Sequence, residues 1–91
     1  MILAKKSLGQ NFIIDNNVSE RIINITNIKN ENILEIGPGT GNLTLAILEQ
    51  EPKKLIVVEK DDRLAEELKL KFHEKITIIN DDILKLDEKK I

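Results

Sequence analysis

The sequence contains no cysteine and only one histidine among its 91 residues. The absence of cysteine excludes disulfides and thiol nucleophiles. Because ordinary zinc sites are built from cysteine and histidine, the same shortage excludes such a site, and we expect no metal centre. Tyrosine and tryptophan are absent as well, so the chain lacks the two larger aromatic side chains that could stack on a nucleic-acid base.

Long apolar runs and a surplus of positive charge are also missing. No apolar stretch approaches the roughly 18 residues of a membrane-spanning helix, and the first ten residues, MILAKKSLGQ, lack the apolar core and cleavage site of a secretory signal. We therefore expect a cytoplasmic chain with no membrane contact. The formal net charge of −2 indicates that any RNA contact within the chain is local. Length and composition are typical of at most one small globular domain.

The most informative segment is EIGPGTG at residues 35–41, which closes an apolar run at 33–36 and precedes another at 43–48. This arrangement predicts a strand, a tight turn and the start of a helix. Gly37 and Gly39 allow positive φ angles and a close approach of the backbone to a ligand. The start of the helix offers free N–H groups. The segment therefore predicts a pocket for a nucleotide-type cofactor.

Spacing helps to decide between cofactors. A dinucleotide-binding turn, G-x-G-x-x-G, would need glycine at position 42 when counted from Gly37, but Asn42 stands there and the third glycine is Gly41. NAD is therefore disfavoured. Glu59 ends a second apolar run, residues 55–58, at the spacing where an acid accepts hydrogen bonds from the ribose hydroxyls of nucleotide cofactors. We therefore predict Glu59 as a ribose ligand.

Apolar runs alternate with helical periods along the rest of the chain. The pattern predicts strands at 33–36, 55–58 and 76–79, and helices at about 16–28, at 43–50 and from Asp61 or Asp62 to about 72. Such alternation predicts an α/β fold with a parallel sheet and right-handed crossovers. Because ligands bind at the carboxyl ends of such strands, Gly37, Glu59 and Asp82 should meet in one crevice.

Four segments together resemble the N-terminal part of the small-subunit ribosomal-RNA adenine dimethylases. They are KKSLGQNF at 5–12, EIGPGTG at 35–41, VVEKD at 57–61 and NDDIL at 80–84, in this order and spacing. The resemblance covers the whole chain. It implies the N-terminal portion of a Rossmann-like, S-adenosylmethionine-dependent methyltransferase domain, with an arm at 1–14 that has no sustained period and a cofactor-binding half at 15–91.

In that family the arm folds over the cofactor, S-adenosylmethionine. The resemblance implies these cofactor-binding residues: Asn11, Ile13, Gly37, Gly39, Glu59 and Asp82. Asn11 and the main chain of Ile13 would contact the methionine end, although position 13 is commonly leucine in the family. Asp82 would accept from the adenine amino group, because the family's acid directly precedes an Ile-Leu pair, and Asp81 would then be a bystander.

The resemblance also implies an activity. Such enzymes move methyl groups from S-adenosylmethionine to N6 of two adjacent adenosines near the 3′ end of small-subunit rRNA, which makes the rRNA or the 30S precursor the implied partner. The family orients the adenine with an Asn-Leu-Pro-Tyr segment and helps to hold the RNA with a C-terminal helical domain. Neither occurs in these 91 residues, and we expect the Asn-Leu-Pro-Tyr segment beyond Ile91. We therefore expect no catalytic residue in the chain and no methyl transfer by the chain alone.

Two alternatives stay open. Large-subunit rRNA methylases that confer macrolide resistance share QNF and the strand-terminal acids, but they commonly have Ser or Ala and then Lys where this sequence has Pro38 and Thr40. The second alternative is a non-catalytic half-domain that binds cofactor weakly. We also expect a sheet that is open along the strand at 33–36. Either the chain is truncated near Ile91 and lacks the pairing strand, or a partner surface covers the edge.

Overall fold

The computed structural model describes residues 2–5, 11–15, 21, 23 and 27–85. Within these ranges it contains the strands β1 (Ile2–Lys5), β2 (Asn11–Asp15), β3 (Asn32–Ile36), β4 (Lys54–Val58) and β5 (Thr77–Ile79), and the helices α1 (Asn42–Glu49) and α2 (Asp62–Phe72). Short 3-10 turns follow α2 at His73–Lys75 and β5 at Ile83–Lys85.

The described strands form one sheet whose spatial order follows the sequence, β1-β2-β3-β4-β5. β1 is antiparallel to β2, whereas the other neighbours are parallel. Helix α1 connects β3 to β4 and helix α2 connects β4 to β5, and both contribute to the same core cluster. Both helices therefore lie on the same face of the sheet. Right-handed crossovers that progress in one direction produce this arrangement.

The predicted parallel α/β architecture is confirmed, and the boundaries of β3, β4, β5, α1 and α2 differ from the predicted ones by about one residue. The helix predicted at about 16–28 falls largely outside the described residues. Within it, Arg21 and Ile23 are helical, and Ile23 is fully buried. Hydrophobic periodicity was therefore sufficient to locate the central elements.

The N-terminal arm and the sheet edge differ from the predictions. β2 pairs in parallel with β3, from Asn11 opposite Asn32 to Asp15 opposite Ile36, and β1 pairs with the other side of β2. The expectation of a sheet that is open along β3 was therefore wrong. The pairing strands come from the N-terminal segment, in which the sequence shows no sustained period. The physical reason is that an unpaired strand presents a row of free N–H and C=O groups. An extended segment rich in Ile and Phe is suited to pair with it.

The C-terminal end of the chain also bears on that prediction. The sequence predicts either that the edge of β3 lacks a pairing strand because the chain is truncated near Ile91, or that a partner surface covers the edge. In the structure, β2 covers this edge from the N-terminal side. Ile91 itself lies outside the described residues, the last of which is Lys85. The expectation that the Asn-Leu-Pro-Tyr segment follows Ile91 therefore stays a prediction.

The main core lies between the sheet and the helices. It consists of Ile23, Ile28, Ile33, Leu43, Ile47, Leu55, Val57, Leu68, Phe72 and Ile76. A smaller cluster on the other face contains Leu34 and Val58, with Ile36, Ile56, Ile79 and Ile83 packed against them. Apolar residues on both faces are typical of a parallel sheet, because successive side chains of each strand point to opposite faces.

Two residues fix where the helices begin. Asp61 caps α2, since its Oδ1 accepts from the Leu64 N–H at 3.0 Å. Gly41 precedes α1 with φ of 91°, and a Cβ at this position would lie 2.9 Å from Phe72 Cε2 and 3.0 Å from Leu68 Cδ2. Gly41 therefore allows α1 to begin with a left-handed residue and to approach α2 closely.

Candidate cofactor site

A crevice of about 360 Å³ lies at the carboxyl ends of β3, β4 and β5. It is lined by Ile36, Gly37, Val58, Glu59, Lys60, Asp81, Asp82, Ile83 and Leu84. The structure thus brings Gly37, Glu59 and Asp82 together, as the parallel topology predicts. Their roles toward a cofactor stay a prediction.

The glycine turn borders this crevice through Gly37. The φ angles of Gly37, Gly39 and Gly41 are 67°, 58° and 91°, which side chains with a Cβ rarely adopt. The Gly37 N–H donates to the Val58 carbonyl at 3.0 Å, and the Gly41 N–H donates to the Pro38 carbonyl at 3.0 Å. The turn is therefore tied to β4, and Gly39 lies inside it without lining the crevice.

Glu59 is fixed at the tip of β4 by hydrogen bonds. Its side chain is buried, and Oε2 accepts from the Asp61 N–H at 3.0 Å. Its own N–H donates to the Ile79 carbonyl at 3.0 Å, and the Asn80 amide donates to its carbonyl at 3.4 Å. A carboxylate offers about four acceptor positions, so the bond to Asp61 leaves Glu59 able to accept from ribose hydroxyls.

Asp81 and Asp82 both line the crevice and both are half-buried. Asp81 Oδ1 accepts from the Asp82 N–H at 2.7 Å, and Asp82 Oδ1 accepts from the Leu84 N–H at 2.9 Å. Asp82 therefore caps the 3-10 turn that follows it. Because both residues line the crevice, this geometry does not separate them, and the preference for Asp82 over Asp81 stays a prediction.

The strand pairing places Asn11 at the amino end of β3 and Ile13 beside its middle. Asn11 pairs with Asn32, at the opposite end of β3 from Ile36, and Ile13 pairs with Leu34. Asn32 and Ile36 are four residue steps apart along the strand, which corresponds to roughly 13 Å. In this structure β2 satisfies its backbone hydrogen bonds along β3, and the contact of Asn11 and Ile13 with a cofactor stays a prediction.

Sequence reasoning missed Glu35. Its side chain is fully buried, and the Thr44 hydroxyl donates to its Oε1 at 2.5 Å. Oε2 is buried without a hydrogen-bond partner in the described part of the chain. Burial raises the pKa of Glu35 to about 7, although the hydrogen bond from Thr44 acts in the opposite direction. The signal was available, because Glu35 alternates with Ile33 and therefore points to the core face of β3.

The described ranges contain neither a cluster of metal-ligand side chains nor a candidate membrane-spanning helix. Those ranges contain no group of three or more His, Cys, Asp or Glu side chains that could hold a metal ion. No helix within them has the length and apolar character that a membrane crossing requires.

The residues of the crevice suit a nucleoside-containing cofactor. The acids Glu59 and Asp82 are acceptors for hydroxyl or amino groups, whereas Ile36, Val58 and Ile83 offer an apolar surface to a base. The adjacent glycine turn allows close backbone approach. Fold and crevice together define part of an α/β domain with a crevice at the carboxyl ends of its parallel strands.

The sequence model of the ribosomal RNA adenine dimethylase family matches residues 1–91, and the chain belongs to this family. A relative from Pelagibacter ubique (strain HTCC1062), named ribosomal RNA small subunit methyltransferase A, is 63% identical over 90 residues, covering 99% of this chain and 34% of that protein. A protein of the same name from Malacoplasma penetrans (strain HF-2) is 47% identical over 88 residues, covering 96% of this chain and 32% of that protein. The chain thus spans about a third of the length of these relatives.

A solved structure supports the fold. The crystal structure of 23S rRNA methyltransferase ErmE superimposes with a TM-score of 0.64 at 26% sequence identity. The match covers 96% of this chain and 32% of that one. The chain therefore has the fold of part of a Rossmann-like methyltransferase, as the resemblance implies.

Proposed function

We propose that the chain is the cofactor-binding part of an S-adenosylmethionine-dependent enzyme that dimethylates N6 of adenosines in small-subunit rRNA. The observation that carries this proposal is the crevice in which the glycine turn, Glu59 and Asp82 meet at three neighbouring strand tips. Family membership supports the type of reaction. The small-subunit rRNA or its ribosomal precursor particle, in the cytoplasm, is the proposed partner.

Each residue has a distinct role in the proposal. Glu59 accepts from the ribose hydroxyls, and Asp82 accepts from the amino group of the adenine. Gly37 and Gly39 let the main chain lie along the ribose and methionine parts, since neither has a Cβ in the way. Ile36 and Val58 supply apolar contacts for the ring.

S-adenosylmethionine, when bound, supplies a methyl group on a sulfonium that is already a good leaving group. The task of the chain is to bind and orient this donor, which lowers the entropic cost of bringing it to the acceptor nitrogen. An adenine in RNA has to leave its stack before its N6 can reach such a site. None of the residues given a role in this proposal orients the base.

Asn11 and Ile13 form a separate part of the proposal. Their contact with the methionine end requires residues 11–15 to leave the edge of β3, where the structure pairs them. Glu59, Asp82 and the glycine turn need no such rearrangement. Binding of S-adenosylmethionine is therefore proposed to depend first on Glu59, Asp82 and the glycine turn.

The names of the relatives favour a small-subunit over a large-subunit substrate. The Pelagibacter ubique protein named ribosomal RNA small subunit methyltransferase A matches at 63% identity, compared with 26% for the large-subunit enzyme of known structure. Pro38 and Thr40 also depart from the residues common in the large-subunit resistance enzymes. The proposal therefore takes adenosines of the small subunit as the substrate.

Calorimetric titration with S-adenosylmethionine and S-adenosylhomocysteine tests the cofactor part of the proposal. We expect both to bind the 91-residue chain. If neither ligand bound to a folded chain, the cofactor part of the proposal would be refuted.

A second assay tests the role given to the Asn-Leu-Pro-Tyr sequence. The chain and, in parallel, a full-length relative are incubated with labelled S-adenosylmethionine and unmethylated small subunits. We expect the relative to transfer label and the chain alone to bind without transfer, since it lacks the Asn-Leu-Pro-Tyr sequence. Dimethyladenosine formed by the chain alone would overturn the role given to that sequence.

A further inference from the structure

Glu35 and Thr44 flank the glycine turn and are joined beneath it. Glu35 lies two residues before Gly37, and Thr44 lies three residues after Gly41 in the first turn of α1. Both side chains are fully buried, and the Thr44 hydroxyl donates to Glu35 Oε1 at 2.5 Å. This hydrogen bond connects the end of β3 to the start of α1 and so closes the base of the turn.

The carboxyl group of Glu35 is costly where it stands. Its second oxygen, Oε2, is buried and has no hydrogen-bond partner within the described residues. An ionised carboxylate in such a place loses its hydration without full compensation, and burial accordingly raises its pKa to about 7. An unsatisfied buried acid beside a ligand turn calls for an explanation other than stability.

The described elements packed around Glu35 place no charged partner against it. Its neighbours across the sheet are Ile14 on β2 and Val57 on β4. The acid of α1, Glu49, stands at the far end of that helix, and the helical Arg21 is exposed. On β4 the charged residue is Lys54 at the first position, and the charged residues of α2 are exposed. Burial and the Thr44 hydroxyl account for the shifted pKa, and Glu59 lies beyond the end of β4, in the crevice.

We propose that Glu35 determines specificity for the charge of the cofactor, favouring the cationic methyl donor over its neutral product. This inference rests on the proposed function. S-adenosylmethionine carries a sulfonium, whereas S-adenosylhomocysteine has an uncharged thioether at the same position. The glycine turn above Glu35 is where the proposed site holds the sulfur-bearing part of the cofactor. Glu35 acts on that part through space and through the turn it supports, so it is a positioning residue.

A positive charge close to a buried carboxyl group favours its ionised form. Binding of the donor therefore lowers the pKa of Glu35 and releases protons to the solvent near pH 7, whereas binding of the product leaves the pKa of Glu35 unchanged. By linkage, the affinity for the donor rises with pH until the pH exceeds the pKa of the free chain, about 7. The affinity for the product lacks this increase.

Calorimetry of both ligands between pH 5.5 and pH 8 tests the inference. The measured quantity is the ratio of the two dissociation constants, because contributions common to both ligands, such as those of the shared nucleoside, cancel in it. We expect the ratio to shift toward the donor by roughly threefold or more across this range, which corresponds to half a unit of pKa change. Titrations in buffers of different ionisation enthalpy should show net proton release near pH 7 with the donor alone.

Glu35→Gln is the decisive variant, since an amide oxygen still accepts from Thr44 but cannot ionise. We expect it to bind both ligands with a ratio that does not change with pH. Glu66→Gln, an exposed acid on α2, is the matched control and should behave as the unchanged chain.

The outcomes separate the two proposals. A flat ratio in the unchanged chain, or a pH-dependent ratio that persists in Glu35→Gln, overturns the role of Glu35 while both ligands still bind. Failure of both ligands to bind a folded chain at every pH refutes the proposed function instead. If the variant does not fold, the proton count of the unchanged chain decides, since donor binding without proton release contradicts the inference.

Discussion

Glu59 is positioned before any ligand binds. The hydrogen bond from Asp61 to its carboxylate and two main-chain bonds to the end of β5 and the segment after it hold it at the strand tip. Such an acid loses little side-chain freedom when a ligand binds, because the chain has already ordered it. The carboxylate of Glu59 is therefore preorganised for a ligand.

Glu59→Ala is expected to weaken S-adenosylmethionine binding about tenfold or more, since it removes two charge-assisted hydrogen bonds worth roughly 1.5–3 kcal/mol each. Calorimetry measures the dissociation constant, and circular dichroism checks the fold. Glu66→Ala on the exposed face of α2 serves as the control. Equal affinities for Glu59→Ala and the unchanged chain would remove Glu59 from the site.

The adjacent acids Asp81 and Asp82 provide a paired comparison. Asp82→Ala is expected to lower the affinity for S-adenosylmethionine and S-adenosylhomocysteine alike, because both carry the adenine amino group. Asp81→Ala should have little effect, and it keeps an acid one position away as the matched control. A binding titration with the reverse ranking would assign the adenine to Asp81.

At the scale of elements, the contact between α1 and α2 depends on a missing side chain. The 2.9 Å approach that a Cβ at Gly41 would make to the Phe72 ring leaves no room for one, and the φ of 91° disfavours one independently. The beginning of α1, and with it the glycine turn, is therefore set by the packing of two helices against each other.

Gly41→Ala is expected to lower the free energy of unfolding by about 1–3 kcal/mol, the usual cost of overpacking combined with an incompatible φ. Urea denaturation followed by circular dichroism measures it. Asn42→Ala, at the exposed first position of α1, is the control and should change stability little. An unchanged midpoint for Gly41→Ala would mean that α2 moves away without cost.

Elements were predictable from the sequence where local pattern and final environment agree. The runs at 33–36 and 55–58 are rich in apolar residues, so they identify buried strands. β2 was not predictable in the same way, because pairing of an edge segment depends on which neighbouring strand is free, and that is not a local property. Residue-level roles were hardest, as Glu35 shows: its burial follows from period two, but its contact with Thr44 requires the helix to be in place.

At the scale of the whole molecule, Glu35 makes stability depend on pH. Its pKa is raised from 4.5 to about 7 in the folded chain. Between these values the folded state binds more protons than the unfolded state, so stability is highest at the acidic end and is lost as the pH rises toward 7. Above about pH 7 this contribution is gone and changes no further.

Glu35→Gln should remove this dependence. The difference in unfolding free energy between the variant and the unchanged chain is expected to move in favour of the variant by up to about 3 kcal/mol from pH 4.5 to pH 8. Urea denaturation at several pH values measures it, and taking the difference cancels the other titrating groups. A difference that is constant with pH would show that Glu35 has the same pKa in the folded and the unfolded chain.

The order of the strands has a consequence for how the chain assembles. Asn11 pairs with Asn32, Asn32 with Lys54 and Ile56 with Thr77, so each parallel pairing spans 21 or 22 residues. Since the entropy of closing a loop depends on its length, each added strand meets nearly the same closure cost. Every strand also finds its neighbour already synthesised. The sheet can therefore grow strand by strand as the chain leaves the ribosome, without waiting for a distant segment.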